Sequence, residues 1–263
     1  MNKEDIIGCK ATALPEETED AYARYASLEK PKPNKDNLKG KAYKHDHLQN
    51  SATKVAIKTF DLSKIKAGAK NYEVTVGAYI AARILSAIAK ERNASGSIAP
   101  IVMNLPIDYR SFFPSKTIRN FVGGKNIVMP ENEGFSAMAQ QIQLQFATIT
   151  PEFAQTAVNE AQAAKIALNR LPRWLKKFLL RTMNHQMMKK VTTMFSNLGL
   201  AQLPTEVEQH IENLEFVISP TAGLPYTFAC IAVGNALTLS ITADIEGSGL
   251  IEKVFAELEE NQR

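Results

Sequence analysis

The sequence predicts an α/β or α+β sandwich, on three grounds. Short apolar runs of strand length stand on both sides of a central block of long amphipathic segments, giving the order strands, helices, strands. The 263 residues are 45% hydrophobic and 22% charged, enough apolar material for a packed core in one large or two ordinary domains. Towards the end of the chain two apolar runs flank Gly234-Asn235, a two-residue hairpin signal.

Residues 1–50 read as an N-terminal arm or linker, and 51–263 as the domain. In the arm, acids cluster at Glu16, Glu17, Glu19 and Asp20, and lysines follow at Lys30, Lys32, Lys35, Lys39, Lys41 and Lys44 around Pro31 and Pro33. No apolar face runs through it, so it should lie on something else or stay mobile. Its one short helical candidate is 17–26, with Ala21, Tyr22 and Tyr25 on one side.

From Thr53, the residues Val55, Ile57 and Phe60 suggest a strand entering the core, and Asp61 can cap a helix over 62–69. Thr75 opens a long helix to about Glu91, in which Val76, Tyr79, Ile80, Ile84, Leu85 and Ile88 recur at threes and fours on a core face. Helices over 134–148 and 151–169 are separated at Thr150-Pro151, because proline suits a first turn and disfavours helix before it. A third, after Leu171-Pro172, interleaves Trp174, Leu175, Phe178, Leu179 and Met183 with Arg173, Lys176, Lys177 and Arg181. That composition fits a solvated face over a packed helix, and it could also lie on an anionic membrane surface, over Arg173–Lys190. The last third reads as strands at 191–195, 215–219, 226–233 and 237–242, with a closing helix over 250–260.

Between these elements, 101–124 is dense with unusual choices. An apolar run over 98–105 reads as a buried strand leading into Asp108 and Arg110, opposite charges two residues apart that point the same way along a strand. They read most simply as a structural pair pinning a loop. Pro114 turns the chain, and 118–122 begins a second extended segment closed by Gly123-Gly124, where a side chain would obstruct close approach or positive φ, the stretch of strand, loop and strand ending near Met129.

The net charge of +4, with acids and bases interspersed, does not call for nucleic-acid binding. Cys9 and Cys230 are too few and too far apart for a disulfide framework or a zinc site, which points to a reduced, cytoplasmic setting. No apolar signal core opens the chain, and no run approaches a membrane span. Four histidines are candidates for general-base work. His45 and His47 lie in the arm without a third metal ligand nearby, His185 ends the basic helix as a dipole-complementing cap, and His210 reads as surface. No metal site is expected. Neither Gly123-Gly124 nor Gly247-Ser248-Gly249 extends into a nucleotide-binding or nucleophile-elbow pattern.

The string N-L-P-I-D-Y-R-S-F-F-P-S-K-T-I-R-N-F, residues 104–121, resembles the core of bacterial alcohol acetyltransferase-like, condensation-domain-related proteins. These fall in the superfamily of chloramphenicol acetyltransferase and the plant BAHD acyltransferases. Ser196-Asn197-Leu198-Gly199 with Leu203-Pro204 is similar to that family's second marker, and 16–25 to the acidic segment that follows its first third. The resemblance implies an α/β two-layer sandwich of the CoA-dependent acyltransferase type, a mixed sheet covered by helices. It also implies acyl transfer from acyl-CoA or an acyl carrier, with no tightly bound cofactor.

In that family Ser196 falls where a hydroxyl or amide stabilises the tetrahedral oxyanion, beside Asn197, although a Ser-Asn turn would explain the same residues. Asp108 and Arg110 would hold the loop, Asn120 would sit near the channel, and Lys116 and Arg119 could meet a coenzyme A phosphate. The family's HHxxxD general base occurs nowhere in the sequence. The expectation is therefore the C-terminal portion of an acyltransferase, inactive alone, whose base-bearing lobe comes from a partner chain or is missing. Self-association through the uncovered face is a further expectation. A non-catalytic binding or assembly module is the alternative.

Overall fold

The computed structural model describes residues 13–27, 40–45, 49–131, 134–221, 223–245 and 249–260. The chain divides into two compact units, one of Met1–Asp36, Ile107–Gly124 and Ile149–Arg181, the other of Asn37–Pro106, Lys125–Thr148 and Thr182–Arg263.

The first unit is built on aromatic packing. Helix α1 (Ala21–Tyr25), capped by the Asp20 carboxylate accepting from the Ala23 amide, packs against α5 (Pro151–Asn169). Tyr109 and Phe121 are buried with Ala21, Ala154 and Val158, and Tyr22 meets both rings edge-on. Residues 13–27 thus lie on this core, the helix spanning five residues of the ten expected.

The second unit carries most of a six-stranded mixed sheet in the order β1-β6-β5-β4-β2-β3. Its strands are β1 (Gln49–Asp61), β2 (Val102–Asp108), β3 (Val122–Val128), β4 (Thr193–Leu200), β5 (Tyr226–Val233) and β6 (Ala236–Ile245). β1–β6 and β5–β6 are antiparallel, and β2–β4 and β4–β5 parallel. The predicted hairpin stands at Gly234-Asn235, where Gly234 has φ +51°. Helix α3 (Val76–Ala94), opened by the Thr75 hydroxyl accepting from the Ala78 amide, is the central helix. It packs against α2 (Leu62–Asn71), α4 (Phe135–Ala147) and α8 (Leu250–Glu259). The described residues also form α6 (Arg173–Met188) and the short α7 (Thr205–Glu208).

Four expectations change. The strand expected over 98–105 starts later, at Val102, and Ile98 is 91% exposed. The second extended segment begins at Val122, not at Ile118, because 117–119 are held in an irregular loop by Arg110, and it runs through Gly123-Gly124 to Val128. No strand forms over 215–219: the Ile218 carbonyl accepts from the Thr227 hydroxyl, and Pro220 has no amide hydrogen to continue a ladder. β1 is an edge strand with Val55 and Ile57 exposed, so only Phe60 of the three apolar residues enters the core.

Candidate functional site

Adjacent strand residues point to opposite faces, so β4 presents Ser196 and Asn197 to different surroundings. Ser196 does not end its strand; it pairs with Ala229 of β5, which pairs with Ser240 of β6, and all three are buried on one face. The same face carries Thr227 and Thr242, one row along, and Asn104, which is in register with Met194. The Asn104 amide donates to Asn126 Oδ1 at 2.9 Å. A strip of hydroxyls and amides therefore crosses the middle of the sheet, whereas the opposite face carries Phe195, Phe228, Leu239 and Ile241.

Asn197 belongs to the second face and lines a cleft. Between Asn197↔Cys230 and Leu200↔Ala232, β4 has one more residue than β5, a bulge built around Gly199 at φ +70°. Asn197 Oδ1 closes it by accepting from the Gly199 amide at 2.8 Å. At the start of α3, a Cβ on Gly77 would stand 3.0 Å from Asn197 Nδ2, so glycine lets the helix approach the side-chain amide. Leu62, Val76, Leu200, Ile231, Ala232 and Leu237 supply the apolar wall, Lys66 adds an ammonium, and the open cleft has an empty volume of about 460 Å³. Cys230, in register with Asn197, is inert: burial pushes its thiol up to about 12.

In the first unit Asp108 and Arg110 do pair, Nη1 donating to Oδ1 at 2.8 Å, but the guanidinium does more than meet one carboxylate. Its Nη2 donates to the Thr117 and Arg119 carbonyls at 2.8 and 2.7 Å, and Nε donates to Thr117 at 3.3 Å. Asp108 also accepts from the Arg110 amide, capping the 3-10 turn Tyr109–Ser111. The Arg110 side chain is 28% exposed and that of Asp108 56%. Arg110→Ala should therefore cost about 1.5–3 kcal/mol, the range for hydrogen bonds to a charged group, and Asp108→Ala about 1 kcal/mol or less. Thermal unfolding of both variants measures this, and equal losses would contradict a pin centred on the arginine.

The side chains of the remaining predicted residues of this unit lie on its surface. Asn120 is exposed and accepts from the Val122 amide at 3.1 Å. The Lys116 ammonium is 3.6 Å from Glu16, and Arg119 donates to the Thr18 carbonyl at 3.4 Å, both side chains being exposed. These residues belong to the first unit, Ser196 and Asn197 to the second.

Of the histidines, His45 is a core residue. Its side chain is fully enclosed, with Nδ1 2.7 Å from Glu91 Oε1 and its ring edge-on to Tyr43 and Tyr226. Its expected companions Asp46 and His47 lie outside the described residues, as does Cys9. Neighbouring Lys44, also assigned to the arm, donates to the carbonyls of Met188, Val191 and Gly223; burial lowers its amine to about 8 against the pull of those oxygens. His185 and His210 are exposed. Among the described residues no group of three or more His, Cys, Asp or Glu could hold a metal ion.

The mixed six-stranded sheet with its helices is a fold that this chain shares with solved condensation-domain proteins. The chain shares its fold with a nonribosomal peptide synthetase, FmoA3, at TM-score 0.55 and 12% identity, over 84% of this chain and 24% of that one. It also shares it with a condensation domain that mediates chain release from the enacyloxin polyketide synthase, at TM-score 0.52 and 11% identity, over 86% and 44%. Polyketide synthase associated protein 5 from Mycobacterium tuberculosis is similar at TM-score 0.50 and 17% identity, over 79% and 52%. The chain thus spans about half the length of these structures or less. No curated protein matches it. The alcohol acetyltransferase family matches residues 23–258, and the chain belongs to that family.

Sequence reasoning missed Asn104 and Asn126, the hydroxyl rows of β5 and β6, and the cleft wall at Lys66 and Leu200. The alternation Thr238-x-Ser240-x-Thr242 was a visible signal for the polar face. The cleft had none, because it depends on a bulge and on two helices from a distant part of the chain.

Proposed function

We propose that this chain forms one wall of an acyl-transfer site, at which a thioester of coenzyme A or of an acyl carrier gives its acyl group to an alcohol or amine. The supporting observation is the placement of Ser196, a buried hydroxyl on the polar strip of a sheet whose family is the alcohol acetyltransferases. As the acceptor oxygen or nitrogen bonds to the thioester carbon, the carbonyl oxygen becomes an anion, and Ser196 donates to it. Collapse of that intermediate expels the thiolate, which takes up the proton that the general base removed from the acceptor. A hydroxyl in this low-dielectric position is worth about 10²–10³ in rate. Asn197 lies on the opposite face of β4 and takes no part in this step.

The base itself comes from outside these residues, since no HHxxxD string occurs among them and His45 is enclosed. Its absence removes about 10²–10⁴-fold. The chain alone should release no thiol from acyl-CoA above buffer in the presence of alcohols or amines, and a separate polypeptide bearing the HHxxxD lobe should restore turnover. In that mixture Ser196→Ala should lower the rate by about 10²–10³. Turnover by the chain alone that disappears in His185→Ala would assign a different base and overturn the proposal. The missing string equally favours a non-catalytic binding or assembly module, which gains nothing from the added lobe.

A further inference from the structure

The cleft beside the β4 bulge lies wholly within the second unit, and its side chains are of two kinds. Leu62, Val76, Leu200, Ile231 and Leu237 make apolar walls, and Leu200 is 56% exposed although it lines them. The polar groups are the Lys66 ammonium, exposed at the rim, and the Asn197 amide. Asn197 Oδ1 is taken up by the Gly199 amide, so this side chain faces the cleft as a donor, and Gly77 leaves room beside its Nδ2. Neither that Nδ2 nor the Lys66 ammonium has a partner among the described residues. No aspartate or glutamate lines the cleft, and none of its side chains offers a free acceptor.

We propose that this cleft binds a medium-chain fatty carboxylate, with the carboxylate on the Lys66 ammonium and Asn197 Nδ2 and the alkyl chain along the leucine and valine walls. Donor chemistry decides the occupant. A peptide segment, whether from a second copy or from another protein, would carry amide hydrogens into a place whose side chains cannot accept them, and each buried amide left unsatisfied is costly. A carboxylate only accepts, and the flexible lysine stem lets the ammonium follow it. The volume of about 460 Å³ falls within the range of small-ligand sites, roughly 300–1,000 Å³. An alkyl chain also covers Leu200, which the fold leaves open. Ser196 points to the other face of β4, so this site owes nothing to acyl transfer.

Isothermal titration calorimetry of the full chain with decanoate should give one saturable site, while acetate, which lacks the chain, should give none. Affinity should rise about threefold to fourfold per methylene from hexanoate to decanoate, as each added group is buried. Decanol, equal in length but uncharged, should bind about tenfold more weakly than decanoate. Lys66→Met should bring decanoate down to the level of decanol and leave decanol unchanged. Asn197→Asp is the sharper variant, because its remaining oxygen still accepts from the Gly199 amide and preserves the bulge while the donor becomes a second anion. Decanoate binding should then fall by about tenfold or more, with an unchanged circular dichroism spectrum. The absence of a saturable decanoate site overturns the proposal, as does equal affinity for decanol, or decanoate binding that neither variant weakens. A dimer in light scattering that Lys66→Met dissociates, with no decanoate bound, would overturn it by giving the cleft to a second copy.

Discussion

Replacing Glu257 with alanine should lower the midpoint of thermal unfolding by roughly 6–20 °C, from a loss of about 3–5 kcal/mol at about 2–4 °C per kcal/mol. Glu257 is buried on α8 and reaches three residues of α3, with Oε2 3.2 Å from Arg83 Nη1 and Oε1 close to Lys90 and Ser86. Lys90 is exposed and can turn to water, but Arg83 cannot. Its guanidinium lies 3.8 Å from the Phe135 ring centre and beside Tyr79, enclosed by aromatic faces that attract a cation without neutralising it. Without the carboxylate a buried charge is left stranded. The double variant Arg83→Met, Glu257→Leu removes both charges and should recover most of the loss, since apolar replacement of a buried pair is often neutral or stabilising. Thermal unfolding of the single and double variants decides it. A single variant no less stable than the double would show that the ion pair does not hold α8 to α3.

Gly123→Ala should cost about 3 kcal/mol or more, at the upper end of overpacking penalties. A Cβ there would stand 1.8 Å from the Tyr109 hydroxyl oxygen and 2.3 Å from the ring carbon bearing it, well inside contact distance. The ring has nowhere to go: it is 2% exposed, with Phe121 and Tyr22 against it, and burial pushes its phenol up to about 12. Gly134→Ala, where nothing lies within 4 Å, is the control. Denaturant midpoints should separate the two variants widely, and coincidence of the two would mean that β3 yields freely at Gly123.

Gly123 also illustrates what the sequence could and could not express. The glycine pair was visible and read as a point of close approach or positive φ; what approaches is the ring of Tyr109, fourteen positions earlier and brought in by folding. Local chemistry was legible throughout: Asp61 and Thr75 as helix caps, Pro151 in a first turn, Gly234-Asn235 in the hairpin, and Asp108 beside Arg110. The Ser196-Asn197 marker was legible as a pair, although the strand's alternation separates the two side chains onto different faces. What depended on distant partners was not legible. His45 and Lys44 looked like arm residues because Glu91 and the carbonyls of Met188 and Gly223 are far away in sequence. The segment 215–219 looked like a strand because nothing local showed that the Thr227 hydroxyl would take its Ile218 carbonyl.

The pairing of β1 with β6 has a consequence during synthesis. Thr59 and Thr238, whose hydroxyl oxygens are 3.2 Å apart, are separated by 179 residues. At about 5–20 residues per second, a nascent β1 waits roughly 10–40 s for the strand that completes its ladder. Its Val55-Ala56-Ile57 core is the kind of apolar β segment that recruits neighbouring chains when left unpaired. Lys54 and Lys58 flank that core, a charge on either side that discourages edge-to-edge association throughout the wait. The hairpin β5–β6, closed locally, is ready as soon as it emerges, so β1 is added to a template already formed.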